Sequence, residues 1–267
     1  MSDDEIFVTL IATVVGVGGW FWWLTRVRSI ARFRPGGRIS PGALVGVLGL
    51  CLAILATILL TGAASDVREA PQYLFMYLVL GLAWLRLAHW VFPLLGLNPR
   101  DDLFERRNDA AVPAWAGALI GVTCCYGGGN IGDGPGWWVV IFSAGLASAA
   151  LAVTWLVVGQ QTDLVETVTV GRDRAAGWRL GALLAASGVI YGFAVTGDWI
   201  SASLTISDFF TRAFPALALV AVCILAERWL RPTPDRPHPS LISGAALPAI
   251  AYLAIAVMTI GLGRTPQ

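Results

Sequence analysis

The chain has 267 residues, of which 57% are hydrophobic and only 13% are charged, and its formal net charge is +1. Soluble domains carry about a quarter charged residues, so this composition excludes an ordinary soluble protein and predicts one embedded in a membrane. All 18 basic residues are arginine, which excludes any chemistry that requires a lysine Schiff base.

Eight apolar runs divide the chain. They cover residues 6–24, 42–62, 72–96, 111–126, 137–159, 178–196, 208–229 and 241–262. Each run is long enough to cross the hydrocarbon core as a helix, which rises about 1.5 Å per residue and satisfies its own backbone hydrogen bonds in lipid. The sequence therefore predicts an all-α fold, a polytopic membrane helical bundle of about eight transmembrane helices that forms a single integral membrane domain over residues 1–267.

The arginines alternate between the predicted loops. Fourteen follow the odd-numbered runs, at positions 26, 28, 32, 34, 38, 100, 106, 107, 172, 174, 179, 228, 231 and 236, against three on the opposite side, at 68, 212 and 264. Cytoplasmic loops are enriched in arginine, so both termini are predicted to lie outside the cytoplasm. Arginine in place of lysine, with abundant alanine and glycine, is typical of GC-rich bacteria, which predicts the bacterial cytoplasmic (inner) membrane.

Tryptophans cluster at the ends of the runs and predict an interfacial aromatic belt. The predicted inner ends carry Trp20, Trp22, Trp23, Trp115, Trp178 and Trp229, and the outer ends carry Trp137, Trp138 and Trp199. Tyr126 and Tyr191 are predicted to be anchors of the same kind. Asp109 and Asp173 precede two runs, where a carboxylate is expected to cap a helix N-terminus.

Residues 109–138 resemble residues 173–199 at a constant offset. Gly117-Ala118-Leu119 matches Gly181-Ala182-Leu183, Tyr126-Gly127 matches Tyr191-Gly192, and Gly132-Asp133 matches Gly197-Asp198. The spacing equals one helical hairpin, so the pattern predicts duplicated two-helix units that begin at the same face of the membrane.

The motif Asn-Asp-Ala-Ala before a Gly-Ala-Leu-Ile-Gly helix, followed one hairpin later by Arg-Asp-Arg-Ala-Ala-Gly, resembles the YjfL-like family of small bacterial inner-membrane proteins. The likeness covers roughly residues 105–230. It implies paired helices in a bacterial plasma membrane and no activity, since the family's domain has no known function. The additional N-terminal helices and a glycine-rich outer loop depart from the family pattern.

Two polar groups of residues are candidate sites. Arg86 and His89 share one face of the third run at i, i+3 spacing, and a charge inside a bilayer is costly enough to be a functional candidate; the alternatives are snorkelling to the interface and a structural ion pair. Asn130 and Asp133 lie in the glycine-rich outer loop, and Asp198 is the repeat partner of Asp133. These three are candidate ligand contacts, and the alternative is a compact turn between helices.

No motif predicts catalysis. HExxH, GxSxG and paired intramembrane aspartates are missing from the sequence, so we expect a protein that is not an enzyme, with no catalytic residue, no metal and no cofactor; a membrane-embedded enzyme is the third alternative. The four cysteines lie in apolar runs without metal-binding spacing and are predicted to be small core residues.

The predicted function is a non-enzymatic scaffold or accessory subunit of the bacterial cell envelope. The alternative is a small-solute or ion transporter or channel-like protein that uses the polar patch on the third run. The expected partners are the lipid bilayer and, at the arginine-rich inner loops, other membrane or cytosolic proteins. Nothing in the sequence predicts nucleic-acid binding.

Overall fold

A computed structural model describes residues 1–33, 41–231 and 240–263, with side chains over 1–29, 42–231 and 240–261. Arg34, Arg38, Arg236 and Arg264, which contribute to the predicted orientation, lie outside the described residues. Arg32 is described through its backbone alone.

Helices account for all regular structure in the described ranges, apart from one isolated bridge between Ala63 and Gly132. The first six are α1 (Asp3–Thr13), α2 (Gly19–Phe33), α3 (Pro41–Gly62), α4 (Ser65–Glu69), α5 (Pro71–Val91) and α6 (Ala111–Gly128). The others are α7 (Trp137–Thr162), α8 (Leu164–Thr169), α9 (Arg174–Ala194), α10 (Ala202–Ala213), α11 (Pro215–Leu230) and α12 (Leu247–Gly263). The predicted all-α fold is confirmed.

Short segments of altered pitch connect or extend several of these helices. Val14–Gly18 is a π-helical segment that joins α1 to α2, and Phe92–Leu95 continues α5 as a 3₁₀ turn. Two more π-helical segments cover Pro99–Glu105 and Ile242–Ala246, the second leading directly into α12. In a π-helical segment the backbone hydrogen bonds join residues five apart and not four apart, and such segments are frequent at functional sites.

Six of the described helical segments are long and apolar enough to cross a membrane. They cover Asp3–Ser29, Gly42–Gly62, Pro71–Leu95, Ala111–Gly128, Trp137–Thr162 and Ile242–Gly261. A seventh arises if α10 and α11, which are bent by 42° relative to each other, form one broken span. The bend has a sequence cause, because Pro215 begins α11 and has no N–H to continue the ladder of α10.

α6 and α9 form the centre of the bundle and run parallel, since successive contacts ascend along both helices. A Cβ added to Gly117 would meet the carbonyl oxygen of Gly181, and one added to Gly128 would meet that of Gly192. Because glycine has no side chain, the two backbones can touch at these positions. Membrane helices gain packing in this way without a hydrophobic driving force. Around this pair, large apolar side chains on the other helices point outward, as a lipid environment requires.

The helix starts show which predicted caps form. Asp173 accepts the Ala175 N–H at 2.8 Å and caps α9, as predicted. The Asp109 carboxylate binds Arg174, and Asn108 accepts the N–H of Ala110 at 3.0 Å. The N-cap residue of α6 is Ala110, which makes no side-chain cap hydrogen bond, so the predicted cap is not found at this position.

Candidate functional site

Arg86 and His89 meet near the C-terminal end of α5. The Nη1 atom of Arg86 lies 3.1 Å from Nδ1 of His89, and the side chains are only 2% and 5% exposed. A guanidinium only donates, so Nδ1 accepts and a neutral imidazole carries its proton on Nε2. Neither that Nε2 nor Nε of Arg86 has a hydrogen-bond partner in the described part of the chain. Two buried donors therefore lack an acceptor among the described residues.

Aromatic rings from α2 enclose this pair. Trp20 and Trp23 pack edge-on against the His89 ring, with centroids 5.2 Å and 4.8 Å away. Trp23 also stacks on Trp115 of α6, at 5.9 Å. The prediction that these three tryptophans belong to an interfacial belt was wrong, since all are buried. They are close to a run end in sequence, but their rings pack against His89 and against one another inside the bundle.

The guanidinium of Arg86 lies between rings and does not reach lipid by snorkelling. Its carbon is 4.7 Å from the centre of the Trp90 ring and 5.7 Å from that of Trp20, distances at which a cation is attracted to a π face. Gly19 leaves the space that the Arg86 side chain occupies, because a Cβ there would lie 3.1 Å from its Cγ. Gly19 directly follows the π-helical segment Val14–Gly18, which sets its position on α2.

A cavity of about 430 Å³ opens beside this pair, and we call it the basic cavity. Its walls include Arg26, Arg86, His89, Trp90 and Arg100. Arg26 lies over the ring of Trp22 at 4.3 Å, and Arg100 pairs with the exposed Glu105 at 3.1 Å. No carboxylate lines the cavity within the described ranges.

The turn that follows α5 forms part of the wall of the basic cavity, and side-chain hydrogen bonds hold it in place. Asn98 accepts the N–H groups of Arg100 and Asp101, which begins the π-helical segment Pro99–Glu105. Asp102 accepts the Asn98 N–H at 2.9 Å and so holds the turn closed. Burial raises the pKa of the Asp102 carboxyl, and the Asn98 N–H and the Arg106 guanidinium oppose that rise. These bonds fix the backbone that carries Arg100.

The second candidate group surrounds a smaller polar cavity of about 190 Å³ near the N-terminal ends of α1 and α5; we call it the acidic cavity. Asn130 and Asp133 both line it, together with Glu5 and Asp66. Asp198 does not line it. Its Oδ1 accepts the Asp133 N–H at 2.8 Å, so Asp198 shapes the loop and makes no wall of the cavity.

Sequence reasoning missed a buried ion pair among α9, α11 and the start of α12. Arg179, expected in an inner loop, is fully buried and donates to both carboxylate oxygens of Glu227, at 2.5 Å and 2.9 Å. Its third bond, of 2.6 Å, reaches the Gly244 carbonyl in a π-helical segment. Glu227, an acidic residue inside an apolar run, was the available signal.

Tyr126 and Tyr191 were predicted to be interfacial anchors. The structure shows instead that both are buried and make hydrogen bonds. The Tyr126 hydroxyl donates to the Tyr77 carbonyl of α5 at 2.9 Å, and the Tyr191 hydroxyl lies 2.6 Å from that of Thr154 on α7. Each tyrosine thus links its helix to the long helix that precedes it. The prediction failed because position near a run end does not reveal which face of the helix the bundle covers.

No protein-family model, curated protein or solved structure matches the chain. Within the described ranges, no group of three histidine, cysteine or acidic residues is placed to hold a metal ion. Three of the four free cysteines, Cys51, Cys125 and Cys223, are buried in the core, as expected for small apolar residues. The chemistry that stands out is therefore that of the two cavities, one basic and one acidic.

Proposed function

We propose that the chain is a non-enzymatic scaffold or accessory protein of the bacterial cytoplasmic membrane that holds a phosphate-bearing anion in the basic cavity. The observation that carries the proposal is Arg86, a buried cation with no carboxylate partner in the described part of the chain. A charge removed from water costs several kcal/mol unless an opposite charge or hydrogen bonds compensate it. A bound anion supplies both.

The wall composition indicates which anion. Arg26, Arg86 and Arg100 offer planar forks of N–H donors, which suit the tetrahedral oxygens of phosphate better than a single halide. Trp90 and Trp23 supply apolar surface beside these donors, as expected where a headgroup continues into an apolar tail. An anionic phospholipid headgroup and a soluble phosphate compound share this chemistry.

The proposed membrane arrangement has eight spans, with the basic cavity on the cytoplasmic side and both termini outside. The parallel contacts of α6 and α9 support it, because the single long helix α7 between them then crosses back. α9 has 21 residues, enough to span about 30 Å. The charge of Arg179 on α9 is neutralised by Glu227, so this arginine does not argue against α9 as a membrane span.

Duplication of the helical hairpins is part of the same proposal. Gly117 and Gly181, equivalent in the repeat, touch each other, and so do Gly132 and Gly197. Contact between equivalent residues is what a two-fold axis parallel to the helices produces. The YjfL-like resemblance of residues 105–230 stays a prediction, and the anion site does not depend on it.

The proposal is tested by measuring the melting temperature of the purified full chain in a non-ionic detergent. Phosphatidylglycerol is added in one series, glycerol phosphate in a second, and phosphatidylcholine in a third. We expect the melting temperature to rise with phosphatidylglycerol or glycerol phosphate, and Arg86→Gln to weaken the binding responsible by about tenfold or more, since a charged hydrogen-bonding group contributes about 1.5–3 kcal/mol.

Arg28→Gln is the matched control, because Arg28 lies exposed on α2 two residues from Arg26 and outside the cavity wall. It should leave the thermal response unchanged. A rise with phosphatidylglycerol alone identifies a lipid headgroup, and a rise with glycerol phosphate identifies a soluble ligand. Equal responses of wild type and Arg86→Gln, or no response of wild type to either anion, would overturn the proposal.

One observation favours the alternative of a small-solute transporter. The basic and acidic cavities lie at opposite ends of the same parallel helices, and Tyr77 and Arg86, which line one each, are only about 14 Å apart along α5. The π-helical segment Val14–Gly18 lies between them on the neighbouring helix. Uptake of radiolabelled phosphate into proteoliposomes that is abolished by Arg86→Gln would establish transport in place of simple binding.

A further inference from the structure

The acidic cavity has a charge that its own walls do not neutralise. Glu5 from the first turn of α1, Asp66 from α4 and Asp133 from the loop before α7 all line it, and no arginine does in the described ranges. Asp66 accepts the adjacent Val67 N–H, and Glu5 accepts the Ser2 N–H at 2.7 Å, so both carboxylates are held in place by backbone donors.

An orphaned acceptor lies in the same wall. Asn130 is 6% exposed, and its Nδ2 donates to the Tyr126 carbonyl at 2.8 Å. Because a carbonyl only accepts, this bond fixes the orientation of the amide. Oδ1 of Asn130 is then a buried acceptor with no partner in the described residues. An unsatisfied buried acceptor of this kind costs about 1–3 kcal/mol, which a ligand with an N–H donor would recover.

The loop that carries these groups is held firmly in place. The Gly197 N–H donates to the Ile131 carbonyl at 2.9 Å, and the Trp199 N–H donates to the Asp133 carbonyl at 2.8 Å. With the bond from the Asp133 N–H to Asp198, the segment after α9 fixes the backbone on both sides of Asp133. The carboxylate of Asp133 is thereby presented by a preorganised backbone, which lowers the entropic cost of binding.

The size and walls of the cavity point to an organic cation and not to a bare metal ion. No three acidic, histidine or cysteine residues of the described chain are close enough to share a metal. Tyr73, Tyr77 and Trp199 contribute aromatic surface to the walls, and aromatic faces attract ammonium groups. A volume of about 190 Å³ holds roughly six water-sized groups, at about 30 Å³ each.

We propose that the acidic cavity binds a small organic cation whose ammonium group donates to Oδ1 of Asn130, with Asp66, Asp133 and Glu5 supplying the opposing charge. Asp198 is a positioning residue that acts through the Asp133 backbone. This site is separate from the anion site and does not require the proposed function.

The test is calorimetric titration of the purified full chain in detergent with putrescine, at constant ionic strength. Wild type should bind putrescine, and uncharged 1,4-butanediol should give no heat. Asp133→Asn or Asp66→Asn should each weaken binding by about threefold, and the two together by about tenfold, as expected for partly exposed charge pairs. Asp133 and Asp66 are exposed in the free protein, so these variants should fold.

Glu69→Gln is the matched control, since Glu69 lies on α4 three residues from Asp66, is exposed and does not line the cavity. It should bind putrescine as wild type does. Arg86→Gln should also bind normally, which separates this proposal from the anion site. The absence of putrescine binding by wild type, or equal weakening by Glu69→Gln and Asp133→Asn, would overturn the inference.

Discussion

Arg86 and Arg179 show that one residue type can have opposite roles in the same bundle. Arg179 is fully buried but has three hydrogen bonds, two of them to Glu227, so its charge is neutralised within the protein. Arg86 is nearly as buried, and within the described part of the chain its one hydrogen-bond partner is His89. The difference lies in the available partners, and it is why we assign a structural role to the first arginine and a binding role to the second.

The Arg179–Glu227 pair should be essential for stability. Arg179→Met leaves the Glu227 carboxylate buried and unpaired, which typically costs about 3–5 kcal/mol and should lower the melting temperature by about 10 °C. The double variant Arg179→Met, Glu227→Leu should recover much of that loss, because no uncompensated charge remains. Differential scanning fluorimetry in detergent measures both.

An exposed pair provides the comparison. Arg174 binds Asp109 at 2.5 Å, but its side chain is exposed, and such pairs contribute about 0–1 kcal/mol. Arg174→Met should therefore change the melting temperature by no more than about 3 °C. Equal destabilisation by Arg179→Met and Arg174→Met would show that the buried pair contributes no more to stability than the exposed pair does.

The sequence predicts a buried polar residue well when it interrupts an apolar run and pairs locally. Arg86 and His89 are three residues apart on one helix, so their contact could be predicted from helical geometry. Arg179 and Glu227 are 48 residues apart and on different helices. Their pairing depends on how α9 and α11 pack, which periodicity does not encode, and the arginine was accordingly misplaced in a loop.

At the scale of the helices, the contact between α6 and α9 depends on glycine. Gly117→Ala would place a methyl group against the Gly181 carbonyl, which requires the two backbones to separate. Overpacking of this kind costs about 1–3 kcal/mol and should lower the melting temperature by about 5 °C. Thermal unfolding in detergent, followed by tryptophan fluorescence, measures the effect.

Gly46 of α3 is the control for this substitution, because a Cβ there would meet nothing within 4 Å. Gly46→Ala should leave the melting temperature unchanged or raise it slightly, since alanine favours a helix over glycine by up to about 1 kcal/mol. A loss of stability in Gly46→Ala as large as that in Gly117→Ala would show that the cost of Gly117→Ala does not come from the close approach of α6 and α9.

Some helix positions could be predicted from the sequence because length and apolarity are local properties. The run 42–62 and α3, Pro41–Gly62, differ by one residue at the start, and the run 137–159 lies within α7. The run 208–229 merges two helices, since α10 ends and α11 begins inside it. Pro215 marks that break in the sequence, but hydropathy alone merged the two helices.

For the whole molecule, whether α9 crosses the membrane decides between alternative topologies. The six candidate spans do not include α9, whereas eight spans require it to cross. If it crosses, Arg172 before it and Ile200 after it lie on opposite sides of the membrane. Both positions are exposed, so a cysteine placed at either is accessible to a water-soluble reagent.

Single cysteines at Arg172 or Ile200, in a chain whose four native cysteines are replaced by alanine, test this with a membrane-impermeant maleimide. We expect Ile200→Cys to react in intact cells and Arg172→Cys only after permeabilisation, because arginine-rich loops stay in the cytoplasm. Glu69→Cys and Glu105→Cys, which flank the candidate span Pro71–Leu95, calibrate the outer and inner signals. Reaction of Arg172→Cys and Ile200→Cys from the same side would exclude eight spans. In that case the basic cavity would still lie on the proposed cytoplasmic side of the membrane, since α2 and α5 alone determine its position.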